Sequence, residues 1–235
     1  MAKKQSSLYM SATEQVAGVV FFVIYLLVLP FATSPLFRLA ERMLATDLSP
    51  AVQNTIYYYI LFAVTVVIFH GFLGRTTRHL FDRGALVGKT VLTGIVAHYG
   101  LNELVYRVAN LIISGRTNLN DTTISAQIDD APRSTLLIVI FLAPFVEEVL
   151  FRGLVFGNLK NKSRVVGYTI SCTLFALLHV WQFAVNHQDV TYFLVMVQYL
   201  VPGLVLAWAY EHSGTLWAAV GIHAAVNALS VLAAF

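Results

Sequence analysis

Charge is scarce in this chain. Of its 235 residues only 11% are Asp, Glu, Lys or Arg, and 58% are hydrophobic. A soluble domain uses roughly 25% charged residues to wet its surface, so the shortage excludes a soluble globular protein. Cysteine is nearly absent as well. Cys172 stands alone, so there is no intrachain disulfide and no dependence of the fold on an oxidising compartment. The sequence lacks a long polar domain, an internal repeat of the transporter kind and a His-Glu-x-x-His helix. Whatever the protein does is therefore done in the membrane or at its faces. The net charge of +3 does not point to nucleic acid, because the cations sit in short loops between apolar runs and report orientation instead.

Long uncharged stretches are abundant. They cover 15–37, 48–74, 90–102, 134–146, 165–188, 190–210 and 212–235, and most reach the ~20 residues that cross a hydrocarbon core. Barrel strands would alternate apolar and polar over ~10 residues, which these do not. The fold class expected is an all-α, polytopic transmembrane helical bundle of about seven spans, near 16–37, 52–73, 86–113, 134–157, 165–185, 190–210 and 215–235. The first run is too long for a cleavable signal. With the N-terminus in the cytoplasm, nine Lys or Arg fall inside and four outside (Arg38, Arg42, Arg116 and Arg133), as the positive-inside rule asks. The polar stretch Gly115 to Arg133 reads as an external loop. It divides residues 1–133, with three spans, from a four-span region, 134–235. Tyr57, Tyr58 and Tyr59 look like an interfacial aromatic belt, and Pro202-Gly203 like a kink in the sixth span.

Charge inside an apolar helix costs about 2.5–3.5 kcal/mol per residue on insertion scales, so each instance needs a reason. Glu103 and Arg107 are four apart in the third span. They read as a structural ion pair facing the bundle, with His98 and Asn102 on a similar face. The fourth span carries Ala143-Pro-Phe-Val-Glu-Glu-Val-Leu-Phe-Arg-Gly. Here Arg152 lies one turn from Glu148 and can compensate it, while Glu147 is rotated by about 100° and awaits another partner. Pro144 removes a backbone donor just before them and makes space for water beside Glu147. Phe175 and His179 share a face of the fifth span; His223 and Asn227 share a face of the seventh. Counted from the cytoplasmic ends, Glu147, His179 and His223 lie ~16, ~22 and ~18 Å deep. The three can meet at one level.

The ordered set Glu-Glu-x-x-x-Arg at 147–152, Phe-x-x-x-His at 175–179 and His-x-x-x-Asn at 223–227 resembles the three motifs of the CPBP (CAAX protease and bacteriocin-processing, or Abi) family, which includes the type II CAAX prenyl endopeptidases. The resemblance covers about residues 134–231. It implies an intramembrane endopeptidase acting on a membrane-associated peptide or protein, and makes 134–235 the catalytic region. By position, Glu147 would activate water, His179 would help hold it, and His223 with Asn227 would stabilise the oxyanion. Glu148, Arg152 and Phe175 would support the site. The residue chemistry agrees: a buried carboxylate is a competent base, and amide or imidazole N–H groups suit an oxyanion. The cofactor stays open between a metal-free glutamate mechanism, which is preferred, and zinc held by Glu147, His179 and His223. Two other readings of the same residues are a non-enzymatic membrane protein, serving bacteriocin immunity or a sensor partner, and a proton-coupled transporter. The expected setting is a bacterial cell membrane.

Overall fold

A computed structural model describes residues 9–112 and 118–234. Among them nine helices follow in chain order: α1 (Ala12–Leu44), α2 (Pro50–Ile68), α3 (His70–Asp82), α4 (Gly84–Ile112), α5 (Leu119–Asp130), α6 (Pro132–Leu159), α7 (Arg164–Asn186), α8 (Val190–Ser213) and α9 (Leu216–Ala234). No strand occurs among the described residues. The all-α polytopic bundle is thus what the chain forms. Six helices (α1, α2, α6, α7, α8 and α9) are long and apolar enough to cross a bilayer.

The remaining expected span is α4, and its 29 residues make it ~44 Å long, well beyond a ~30 Å hydrocarbon core. One expectation for this helix is corrected. Glu103 and Arg107 do pair, at 2.6 Å, but their side chains are 58% and 75% exposed. Glu103 lies ~29 Å along α4 from Gly84, and the pair stands on the outside of the bundle rather than facing into it. A second correction concerns the polar stretch 115–133. Residues 115–117 lie outside the described residues, but Leu119–Asp130 is helix rather than loop. The Asn118 side chain caps it by accepting from the amides of Asn120 and Asp121, and Asp121 sits in its first turn, where a negative charge meets the positive end of the helix dipole. Asn118, Asn120 and Asp121, which suit a loop in the sequence, start a helix in the fold.

Other boundaries have local causes. Ser11 and Glu14 form a capping box at the start of α1. Ser49 caps α2 with Pro50 in its first turn. Gly214, at φ 71°, takes the left-handed conformation that ends α8. In α1 the span runs on to Leu44, through a wide turn at Ile24–Val28. Pro202 and Gly203 lie within the continuous helix Val197–Ser213.

Helix α6 is the central post. Of its most apolar window 61% is buried, against 33% or less in every other candidate span. Leu150, Phe151 and Phe156 are fully enclosed, and Phe151 meets Phe22 of α1 and Phe175 of α7 edge-to-face at 5.3 and 5.4 Å. Among lipid tails the gain from such contacts is close packing, since there is no water to release. Small residues bring neighbours near: a Cβ at Gly94 of α4 would overlap the Ile222 side chain of α9. On the opposite side of the bundle from α5, the Thr76 hydroxyl accepts from the Leu216 amide at 2.7 Å. This bond ties α3 to the turn between α8 and α9.

Candidate active site

The two adjacent acids of α6 have different surroundings, as their 100° offset requires. Glu148 and Arg152 are fully buried. Arg152 Nη1 donates to Glu148 Oε1 at 3.2 Å; its Nε faces Oε2 at 3.1 Å, close enough for charge contact but off the hydrogen-bond axis. Arg152 Nη2 donates to the Gly203 carbonyl at 3.2 Å, and the guanidinium lies 4.2 Å over the Phe175 ring. Glu148 Oε1 also accepts from His223 Nδ1 at 2.8 Å. One buried carboxylate therefore joins α6 to α9, and one guanidinium joins α6 to α7 and α8.

Glu147 takes the other direction. Its Oε2 lies 4.0 Å from His179 Nε2 and 4.0 Å from His223 Nε2, and it is buried without a hydrogen-bond partner. His179 Nδ1 pairs with the Phe175 carbonyl at 2.8 Å, which can only accept, so Nδ1 carries the proton and Nε2 of the neutral ring is bare. The same reasoning at Glu148 leaves Nε2 of neutral His223 bare. Three acceptors thus converge with no donor between them, an arrangement that invites a water molecule. Two hydrogen bonds of about 2.8 Å meeting near 90° span a 4.0 Å gap.

A tetrahedral zinc ion fits less well. Ligands at ~2.05 Å in that geometry stand roughly 3.4 Å apart, so both 4.0 Å separations would have to close by ~0.6 Å. Among the described residues no set of three His, Cys, Asp or Glu side chains is arranged to hold a metal.

Asn227 has an occupation that its motif does not reveal. Its Nδ2 donates to the Val139 carbonyl of α6 at 2.8 Å. In that stretch α6 runs with wide turns, and the Ala143 amide reaches back five residues to Ile138. Next in register is Pro144, which has no N–H for Val139. Asn227 supplies the donor that Pro144 lacks. Asn227→Leu is accordingly expected to cost about 1 kcal/mol of stability, read as a lower Tm in detergent. In a Pro144→Ala background, where a backbone amide returns, the same change is expected to cost measurably less. Equal costs in both backgrounds would separate the proline from the asparagine.

These groups line a cavity of about 990 Å³. It extends from Glu147, His179, His223 and Asn227 to Gln53 and Asn54 at the start of α2, and to Asn118, Asp121 and Gln127 at α5. Tyr57 and Tyr58 are on its wall, whereas Tyr59 is exposed. The aromatic-belt expectation therefore suits Tyr59 and misplaces the other two. Sequence reading also passes over Tyr199, whose ring stacks on His179 at 4.4 Å and 22° and whose hydroxyl donates to Asn118 Oδ1 at 3.0 Å. Its position between Gln198 and Leu200 carries no motif; its partners lie on other helices.

A helical bundle of apolar spans with a buried polar site is an integral membrane protein. Residues 130–229 match the family model of Rce1-like proteins, described as type II CAAX prenyl endopeptidase Rce1-like. All three motifs lie within that segment, and the resemblance drawn from them holds there. Among curated proteins, UPF0177 protein YxdF of Lactococcus lactis subsp. lactis (strain IL1403) is 29% identical over 93 residues, covering 38% of this chain and 44% of that protein. The chain thus spans less than half the length of that relative. No solved structure gives a significant match.

Proposed function

We propose that the protein is an intramembrane endopeptidase in which Glu147 activates water against a peptide bond. The observation that carries this is the buried, unpartnered Glu147 Oε2 flanked at 4.0 Å by two bare imidazole nitrogens. The Rce1-like match over 130–229 supports the same class of chemistry.

Water held there gives one hydrogen to Glu147 and the other to His179 Nε2. As its oxygen bonds to the substrate carbonyl carbon, Glu147 takes the proton. The oxyanion forms beside His223 and accepts from the second N–H of the Asn227 amide. Glu148 holds the His223 ring in place through its Nδ1. Collapse of the tetrahedral species breaks the C–N bond, and the proton on Glu147 passes to the leaving amine. Low dielectric strengthens each of these interactions. Arg152 and Phe175 position the site. The substrate is a membrane-associated peptide or protein, and residues 134–235 form the catalytic region, with α1, α2, α4 and α5 completing the cavity wall.

Purified protein in detergent is expected to cleave members of a fluorogenic peptide library, and to keep that activity after chelation and dialysis into metal-free buffer. Absence of any cleavage overturns the protease reading. Activity lost on chelation and restored by zinc overturns the metal-free form of it.

A further inference from the structure

One buried histidine has no part in the mechanism above. His98 of α4 is 7% exposed and lines the same cavity as Glu147. Its ring makes an edge contact with Tyr99 at 5.3 Å, but among the described residues neither of its nitrogens is hydrogen-bonded and neither is sealed off. A buried imidazole left in that condition is costly, since an unmet polar group in apolar surroundings is desolvated with no hydrogen bond in return. Open cavity space is where its nitrogens can be satisfied.

The fold also fixes its level. Helices α4 and α9 touch where Gly94 meets Ile222 and where Gly221 faces Val91, so they advance in the same direction. His98 is one turn beyond Gly94, and Asn227 just over one turn beyond Ile222. His98 therefore sits at the level of Asn227, ~6 Å from the plane of His223 toward α5. Asn102, one further turn along α4, lines the cavity too. Both residues lie outside the segment 130–229 that matches the family model.

We infer that His98, with Asn102 beyond it, is a substrate-binding residue: it hydrogen-bonds the backbone of an extended peptide on the α5 side of the bond to be cut. An extended strand leaves one N–H and one C=O per residue in need of partners inside an apolar bundle. An imidazole and an amide one turn apart, ~6 Å along the helix axis, match the ~6.6–6.8 Å two-residue repeat of a strand. The identity of the ligand as a peptide rests on the proposed endopeptidase reading; the placement of His98 does not.

The test uses the whole chain and the library peptide that Glu147→Gln protein binds most tightly, labelled with fluorescein. His98→Phe keeps ring volume and removes the hydrogen bond. Placed on the Glu147→Gln background, it is expected to weaken peptide binding about 3–10-fold, the worth of one such bond. On the wild-type background it is expected to raise KM by a similar factor, with kcat changed less than twofold. His98→Gln should restore part of the affinity, and Tm should hold in all variants. Unchanged binding and KM in His98→Phe overturn the inference, as does a fall in Tm without a change in binding, or a failure of every library peptide to bind. If binding depends on His98 while no peptide is cut by wild-type protein, the inference stands and the endopeptidase reading falls.

Discussion

Glu147→Gln is expected to reduce peptide cleavage by about 10²–10⁴-fold, the range a positioned general base supplies, while the protein keeps its fold and its Tm. The two halves of this expectation have separate causes. Activity falls because an amide cannot take the proton of the attacking water or return it to the leaving amine. Stability is held because Glu147 makes no hydrogen bond through its buried Oε2; replacing a desolvated carboxylate by a neutral isostere removes a cost rather than a contact. In cells, membrane proteomes of wild type and Glu147→Gln should differ by the accumulation of one or more uncut precursors. A variant that cleaves at the wild-type rate would end the assignment. Retained biological function without cleavage would favour a scaffolding role, such as immunity or partner modulation, over proteolysis.

The contrast between residues 147 and 148 was legible in the sequence because it depends only on helix geometry. Two adjacent acids cannot share a face, and the cation four residues on can serve only one of them. The depth of His179 and His223 was legible for a similar reason, since rise per residue converts a count into a level. What failed to be legible depends on departures from the regular helix or on contacts between helices. Asn227 reaches the Val139 carbonyl because α6 runs in wide turns before Pro144, and no spacing rule encodes that register. Tyr199 stacks on His179 across two helices. The outward orientation of Glu103 and Arg107 depends on which face of α4 its neighbours cover, which the i, i+4 spacing does not encode. Around 118–121, Asn and Asp suit a loop and a helix start equally, and here the short Asn118 side chain is a cap, a choice that local sequence leaves balanced.

Arg152→Met is expected to be the most destabilising of the substitutions considered, at about 3–5 kcal/mol, because it strands Glu148 as a lone charge in the centre of the bundle. Both groups have no exposure, so solvent does not soften the loss. The Gly203 carbonyl and the face of Phe175 lose their partner together with Glu148. A Glu148→Leu/Arg152→Met double variant is expected to recover most of that stability, since no unpaired charge remains and the volumes are nearly kept. Cleavage should not recover with it. Glu148 is what holds His223 through Nδ1 at 2.8 Å, and without that acceptor the imidazole loses its orientation in the site. Tm and kcat would then separate, one rescued and the other not. A double variant that regains full activity along with its stability would reduce the pair to packing and would leave His223 positioned by something other than Glu148.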